Sequence, residues 1–70
     1  MQVQVNGESH DVRNEFTVAE LVEMLGFSGR RIAVEVNLEI VPRSSHKEHH
    51  LQEGDRIEIV QAIGGGLAGS

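Results

Sequence analysis

Phe16-Thr17-Val18-Ala19-Glu20-Leu21-Val22-Glu23-Met24-Leu25-Gly26 carries its own start signal, apolar face and stop signal. Thr17 and Glu20 form a capping box, in which the Thr17 hydroxyl accepts from the Glu20 amide and the Glu20 carboxylate reaches back to the Thr17 amide. Phe16 and Leu21 stand where a hydrophobic staple fixes the entry of the chain. Val18, Leu21, Val22 and Leu25 recur at i, i+3, i+4 and i+7, so one face of a helix is apolar and Glu20 and Glu23 stay on the wet side. Gly26 admits the left-handed conformation that ends helices. The spacing predicts one helix between Thr17 and Gly26.

On its N-terminal side, Val3 and Val5 alternate with Gln2 and Gln4, the pattern of a strand with one buried face. Asn6-Gly7 then marks a hairpin, since both residues tolerate positive φ. A second strand is expected from about Ser9 to Phe16, with Val12 inward. On the C-terminal side, Ile32, Val34 and Val36 alternate with Ala33, Glu35 and Asn37, a third strand. Glu39–Val41 pairs back on it across Asn37-Leu38. Pro42, which has no N–H to give, ends the pairing. Residues 43–52 read as a polar, irregular stretch with room for one helical turn, and Leu51 plugs the core. Glu53-Gly54-Asp55 is a turn, and Arg56 to Ile63 is the last strand, with Ile57 and Ile59 inward. The order implies an α+β roll: a mixed sheet of four to five strands with one main helix packed on one face. The domain spans 1–63, and 64–70 is a flexible glycine-rich tail held at one edge of a rigid body.

Seventy residues allow one domain, and with no cysteine neither a disulfide nor a thiolate ligand can staple it. The N-terminus has neither a basic start nor a continuous apolar run, and nowhere do about 18 apolar residues run together. The expectation is a soluble cytoplasmic protein with no membrane contact. A net charge of −5 repels phosphate backbones, and there is no Trp or Tyr to stack on bases, so nucleic acid is not an expected partner.

Several signals have bland readings that outweigh the sharp ones. Gly64-x-Gly66-x-x-Gly69 matches a dinucleotide fingerprint in form, but one residue follows it where a helix is required. His46, His49 and His50 have a spacing that a helical turn would bring to one face, yet the ligand count is short and no Cys is near, so they read as a solvated surface cluster with no metal. Arg30-Arg31 reads as a solvated charge pair, with contact to a nucleotide phosphate or an acidic partner as the functional alternative. Arg43 either braces its loop or meets a partner. No Ser/His/Asp set has triad spacing, and the chain has no expected catalytic residues.

The stretch Arg31-Ile-Ala-Val-Glu-Val-Asn-Leu-Glu-Ile-Val-Pro-Arg43, the Val-Asn-Gly start and the ending Glu53-Gly-Asp-Arg-Ile-Glu-Ile-Val-Gln-Ala-Ile-Gly-Gly-Gly66 resemble the ThiS family, the sulfur carriers of thiamine biosynthesis. The resemblance covers residues 1–66. It implies a ubiquitin-like β-grasp fold and a co-substrate, not an enzyme. In that family an E1-like adenylyltransferase (ThiF type) consumes ATP to adenylate the C-terminal glycine carboxylate. Sulfur then replaces the adenylate, and the resulting thiocarboxylate supplies thiazole synthase (ThiG type), a TIM-barrel enzyme. No cofactor is held by the carrier itself.

The residue type suits this chemistry whatever the family name, because a carboxylate entering a narrow nucleotide site needs a thin stalk without Cβ atoms. Gly64 and Gly65 supply that stalk, and Gly66 is the expected point of adenylation and sulfur attachment. Val60, Ala62 and Ile63, next to the tail, are candidate contacts for a partner, with Val60 alternating away from Ile57 and Ile59. A glycine inside a peptide bond has no carboxylate to adenylate. Hence either a protease removes Leu67–Ser70, or those residues are foreign to the carrier, or the active form ends elsewhere. Removal to Gly66 is the expectation, with Gly65 as the alternative terminus.

Two readings compete with this one. Within the same fold, the small subunit of molybdopterin synthase is also a thiocarboxylate carrier, and a ubiquitin-like modifier uses the same activation. In a different class stands a non-covalent β-grasp binding module whose glycines are only a linker.

Overall fold

The structure, a computed structural model, describes residues 1–61. Strand β1 (Gln2–Val5) and strand β2 (Glu8–Asp11) form an antiparallel hairpin in which Val3 meets His10 and Val5 meets Glu8. Asn6 and Gly7, at φ 50° and 84°, make the turn that the Asn-Gly pair predicts.

β2 ends earlier than expected. Val12 still exchanges backbone bonds with Met1, but Glu15 then adopts φ 64° and turns the chain toward the helix. The residues from Arg13 to Phe16 thus serve the helix entry and not the sheet. Val12 is buried, as expected.

Helix α1 (Val18–Met24) begins with the full capping box at Thr17. The Thr17 amide donates to Glu20 Oε1 at 2.9 Å, and the Glu20 amide donates to Thr17 Oγ1 at 3.1 Å. Leu25 caps the other end, followed by Gly26 at φ 82°. Strands β3 (Ile32–Val36) and β4 (Glu39–Val41) form the second hairpin, and β5 (Arg56–Gln61) is the last described strand.

The sheet order is β2-β1-β5-β3-β4, with β5 parallel to β1 and antiparallel to β3. The final strand therefore lies at the centre of the sheet. Val3, Val5, Val34, Val36, Ile57 and Ile59 point from the sheet into one cluster with Val18, Leu21 and Val22 of α1, and Leu51 plugs it. One helix across a five-stranded mixed sheet is the ubiquitin-like β-grasp arrangement.

The stretch 43–52 is mostly exposed and holds one helical turn, with Leu51 in the core as expected, but its backbone also serves the helix. After a 3-10 turn (Arg43–Ser45), the His46 carbonyl accepts from the Ala19 amide at 2.9 Å, and the His49 carbonyl accepts from the Val18 amide at 3.0 Å. The first turn of α1 needs acceptors for its free amides, and this loop supplies them. His46 is drawn inside as a result. Only 9% of it is exposed, and Nε2 lies 3.1 Å from the Val41 carbonyl oxygen, which can only accept, so Nε2 carries the proton. The three histidines thus do not form one surface cluster: His46 is buried, His49 half-buried and His50 exposed.

Candidate functional site

The candidate site is built on β5, because that strand leads to the glycines. Two asparagines clamp it from the turns on either side. Asn6 Oδ1 accepts from the Ile59 amide at 2.9 Å, and Asn6 Nδ2 donates to the Ile59 carbonyl at 3.3 Å. The backbone pairing of β1 with β5 stops at Val5–Ile57, so the Asn6 side chain extends it by one step with an amide in place of a peptide. At the other end, Asn37 Oδ1 accepts from the Arg56 amide at 3.0 Å, while Asn37 Nδ2 donates to Asp55 at 3.0 Å. Both asparagines hold positive φ, near 50°, which this residue type tolerates better than most.

Alternation along β5 sends Arg56, Glu58 and Val60 to the face of the sheet opposite the helix. Val60 is 50% exposed and sits across from Ala33. In the next cross-strand row, Glu58 faces Glu35, and Glu35 faces Ile40, which is 63% exposed. An open face with two apolar residues bracketing a pair of carboxylates results. Like charges directly opposite one another weaken a sheet, so this pairing carries a local cost.

Of the residues that the sequence nominates, Val60 lies where expected, outward on β5. Ala62 and Ile63, the stalk residues Gly64 and Gly65, the attachment residue Gly66 and the segment Leu67–Ser70 lie outside the described residues, as does the Gly64-x-Gly66-x-x-Gly69 motif. Ile40 was not nominated, though the alternation that turns Val41 inward turns Ile40 out, onto the face of Val60. Asn6 and Asn37 were read as turn formers only. Arg43 braces its loop, with Nη2 donating to the Arg30 carbonyl at 2.8 Å. Arg30 and Arg31 are both exposed.

Among the described residues, no group of three or more His, Cys, Asp or Glu side chains converges as a metal site would require. The Glu20 carboxyl is held below its ordinary value of 4.5 chiefly by the Arg13 side chain and next by the Thr17 amide. That pair belongs to the helix start and lies away from β5. No helix among the described residues is long and apolar enough to cross a membrane.

Comparison with known proteins agrees with this geometry. The sequence model described as the ThiS family matches residues 3–66. The sulfur carrier protein ThiS of Escherichia coli (strain K12) is 36% identical over 66 residues, covering 94% of this chain and 100% of that one. A thiazole synthase of Paramagnetospirillum magneticum is 46% identical over 66 residues, which is 94% of this chain and 20% of that protein. A second thiazole synthase, from Magnetococcus marinus, is 41% identical over the same length, and the chain spans 20% of each of these two proteins. The crystal structure of a thiamine biosynthesis protein (ThiS) from Geobacter metallireducens superposes with a TM-score of 0.81 at 29% identity, covering 94% of this chain and 100% of that one.

Proposed function

Since the chain belongs to the ThiS family, small sulfur carriers of thiamine biosynthesis and not enzymes, we propose that it works through a thiocarboxylate formed on Gly66. The observation that carries this reading is the reach of the family match, which runs through the three consecutive glycines and stops at Gly66. A free carboxylate at Gly66 attacks the α-phosphate of ATP in an E1-like partner of the ThiF type, and pyrophosphate leaves. A sulfide-level sulfur then attacks the acyl carbon, AMP leaves, and the thiocarboxylate remains. Gly64 and Gly65 serve as the stalk. Leu67–Ser70 must first be removed by a protease if Gly66 is to present a carboxylate.

The acceptor on this reading is a thiazole synthase of the ThiG type. Support comes from the two thiazole synthases that hold a segment similar to this chain within a single polypeptide. Joining donor and acceptor in one chain turns delivery into an intramolecular event, which only benefits proteins that act on one another. The outward face of β5 is the docking surface, with Val60 as its described member, Ile40 beside it, and Ala62 and Ile63 continuing toward the tail. Burial of those apolar groups offsets the entropy lost when the tail is ordered in a partner. The setting is the cytoplasm.

The test is reconstitution. The chain ending at Gly66 is mixed with a ThiF-type adenylyltransferase and ATP, and pyrophosphate release is followed. Release that depends on Gly66 and is lost in Gly65→Ala/Gly66→Ala, with the fold intact, is the expected result. Unchanged release in that double variant, or none from the parent, points instead to the non-covalent binding module.

A further inference from the structure

Three of the six cationic side chains of this acidic protein, Arg30, Arg43 and Lys47, line one surface cavity of ≈ 270 Å³. Its apolar wall is made by Val22 at the end of the helix, Phe27 after it and Ile32 at the start of β3. His46, whose ring is fixed by its contact with the Val41 carbonyl, also lines the cavity. No Asp or Glu is among the lining residues, whereas the four other depressions compared with it each include at least one carboxylate. Among the described residues, the one arginine paired with a carboxylate is Arg13, and none of the three rim cations is so paired. Arg43 spends one N–H on the Arg30 carbonyl, which holds its guanidinium at the rim with further donors free to reach a ligand.

Size and position narrow the occupant. The cavity is smaller than the roughly 300–1,000 Å³ typical of small-molecule sites, and it suits a single inserted side chain better than a whole ligand. Ile32, in its wall, is the register partner of Gln61, the last described residue before the stretch that leads to the glycines. A protein that handles those glycines therefore passes close to this cavity.

We infer that the cavity is a docking point for an acidic segment of a partner protein, one apolar side chain entering against Val22, Phe27 and Ile32 while flanking carboxylates meet Arg30, Arg43 and Lys47. That the partner is the one acting on the C-terminal glycines rests on the carrier reading; the acidic, apolar-centred chemistry of the segment does not. An anionic segment also gains from long-range attraction to a cationic rim on a chain of net charge −5, which favours this approach over one toward the depressions lined by carboxylates.

The probe is the synthetic peptide acetyl-Glu-Asp-Leu-Glu-Asp-amide, titrated into the isotopically labelled full chain and followed by amide chemical shifts. Saturable shifts at Ser28, Gly29, Ile32 and Lys47 are expected. They should weaken about tenfold in the variant Arg30→Gln/Lys47→Gln, two exposed positions whose change leaves the rest of the spectrum in place. They should also fade at about 1 M salt, where screening acts within about 3 Å. Equal response to the lysine counterpart acetyl-Lys-Lys-Leu-Lys-Lys-amide overturns the inference. So does an equal response to inorganic phosphate, which marks a plain anion site, or movement of the same amides with protein concentration alone, which marks a second copy of the chain. Absence of any saturable shift overturns it as well. Adenylation of Gly66 is read in a separate assay, so failure of the carrier reading leaves this titration intact, and the reverse holds too.

Discussion

Leu38 occupies the left-handed region at φ 72° with 87% of its surface exposed, so it pays a backbone cost without a packing return. Left-handed geometry costs a residue with a Cβ about 1–2 kcal/mol, and glycine escapes it. Leu38→Gly is expected to stabilise the fold by about 1 kcal/mol, read as a higher urea midpoint at unchanged slope. Asn6 is the opposite case, a positive-φ residue whose side chain is used twice on Ile59. Asn6→Gly keeps the turn geometry and deletes both bonds, so a loss of about 1–3 kcal/mol isolates the clamp.

At Glu20, the carboxyl sits below its ordinary 4.5 because of Arg13 first and the Thr17 amide second. A depressed folded-state value means the unfolded chain takes up the proton more readily. The stabilisation is therefore full above 4.5 and is lost as pH falls from there through the folded value. Glu20→Gln preserves a capping box without the charge, so the stability gap between the two proteins should be widest at neutral pH and close on acidification.

What the sequence made legible at this scale follows its range. Thr17, Glu20 and Gly26 act within one helix, and their roles could be read from spacing. The clamp by Asn6 joins residues 53 apart, which no local pattern reveals.

Among the elements, β5 has the position on which the proposed carrier role depends. It is the central strand, bonded to β1 on one side and β3 on the other, so a pull on the chain beyond Gln61 is spread over the whole sheet. The Glu35–Glu58 pair sets like charges opposite one another, which works against that stability and, on the proposed reading, offers this face to a cationic partner. Glu58→Lys places opposite charges across the strands and is expected to stabilise the sheet by about 0.2–1 kcal/mol. The same change should weaken docking of a ThiF-type partner, measured by the concentration of carrier that half-saturates pyrophosphate release. Stabilisation without weakened docking would remove this face from the interface.

Alternation gave the inward residues of β3 and β5 correctly because those strands have one wet face. The length of β2 and the burial of His46 were not legible from alternation. Both are decided by what the start of the helix requires, an entry turn through Glu15 and carbonyl acceptors from His46 and His49.

For the molecule as a whole, the fold divides its work between two regions. The helix and the inner face of the sheet make the core, while the outer face of β5 and the cationic cavity beside Ile32 remain available to partners. A chain of this size buries only about 60% of the surface its unfolded form exposes, so little is left to build an enclosed catalytic pocket. The proposed carrier role fits this limit, since it places the chemistry on Gly66, where a partner's active site supplies what so small a domain lacks. Motif and strand order made that division readable in outline, since the three glycines begin three residues beyond Gln61, the end of β5.

Whether Gly66 becomes a free, activated terminus is decided by the intact mass of the protein isolated from its own cells. A chain ending at Gly66 is expected, with a fraction heavier by the difference between sulfur and oxygen. A chain still ending at Ser70, with no sulfur-bearing fraction, would contradict this expectation.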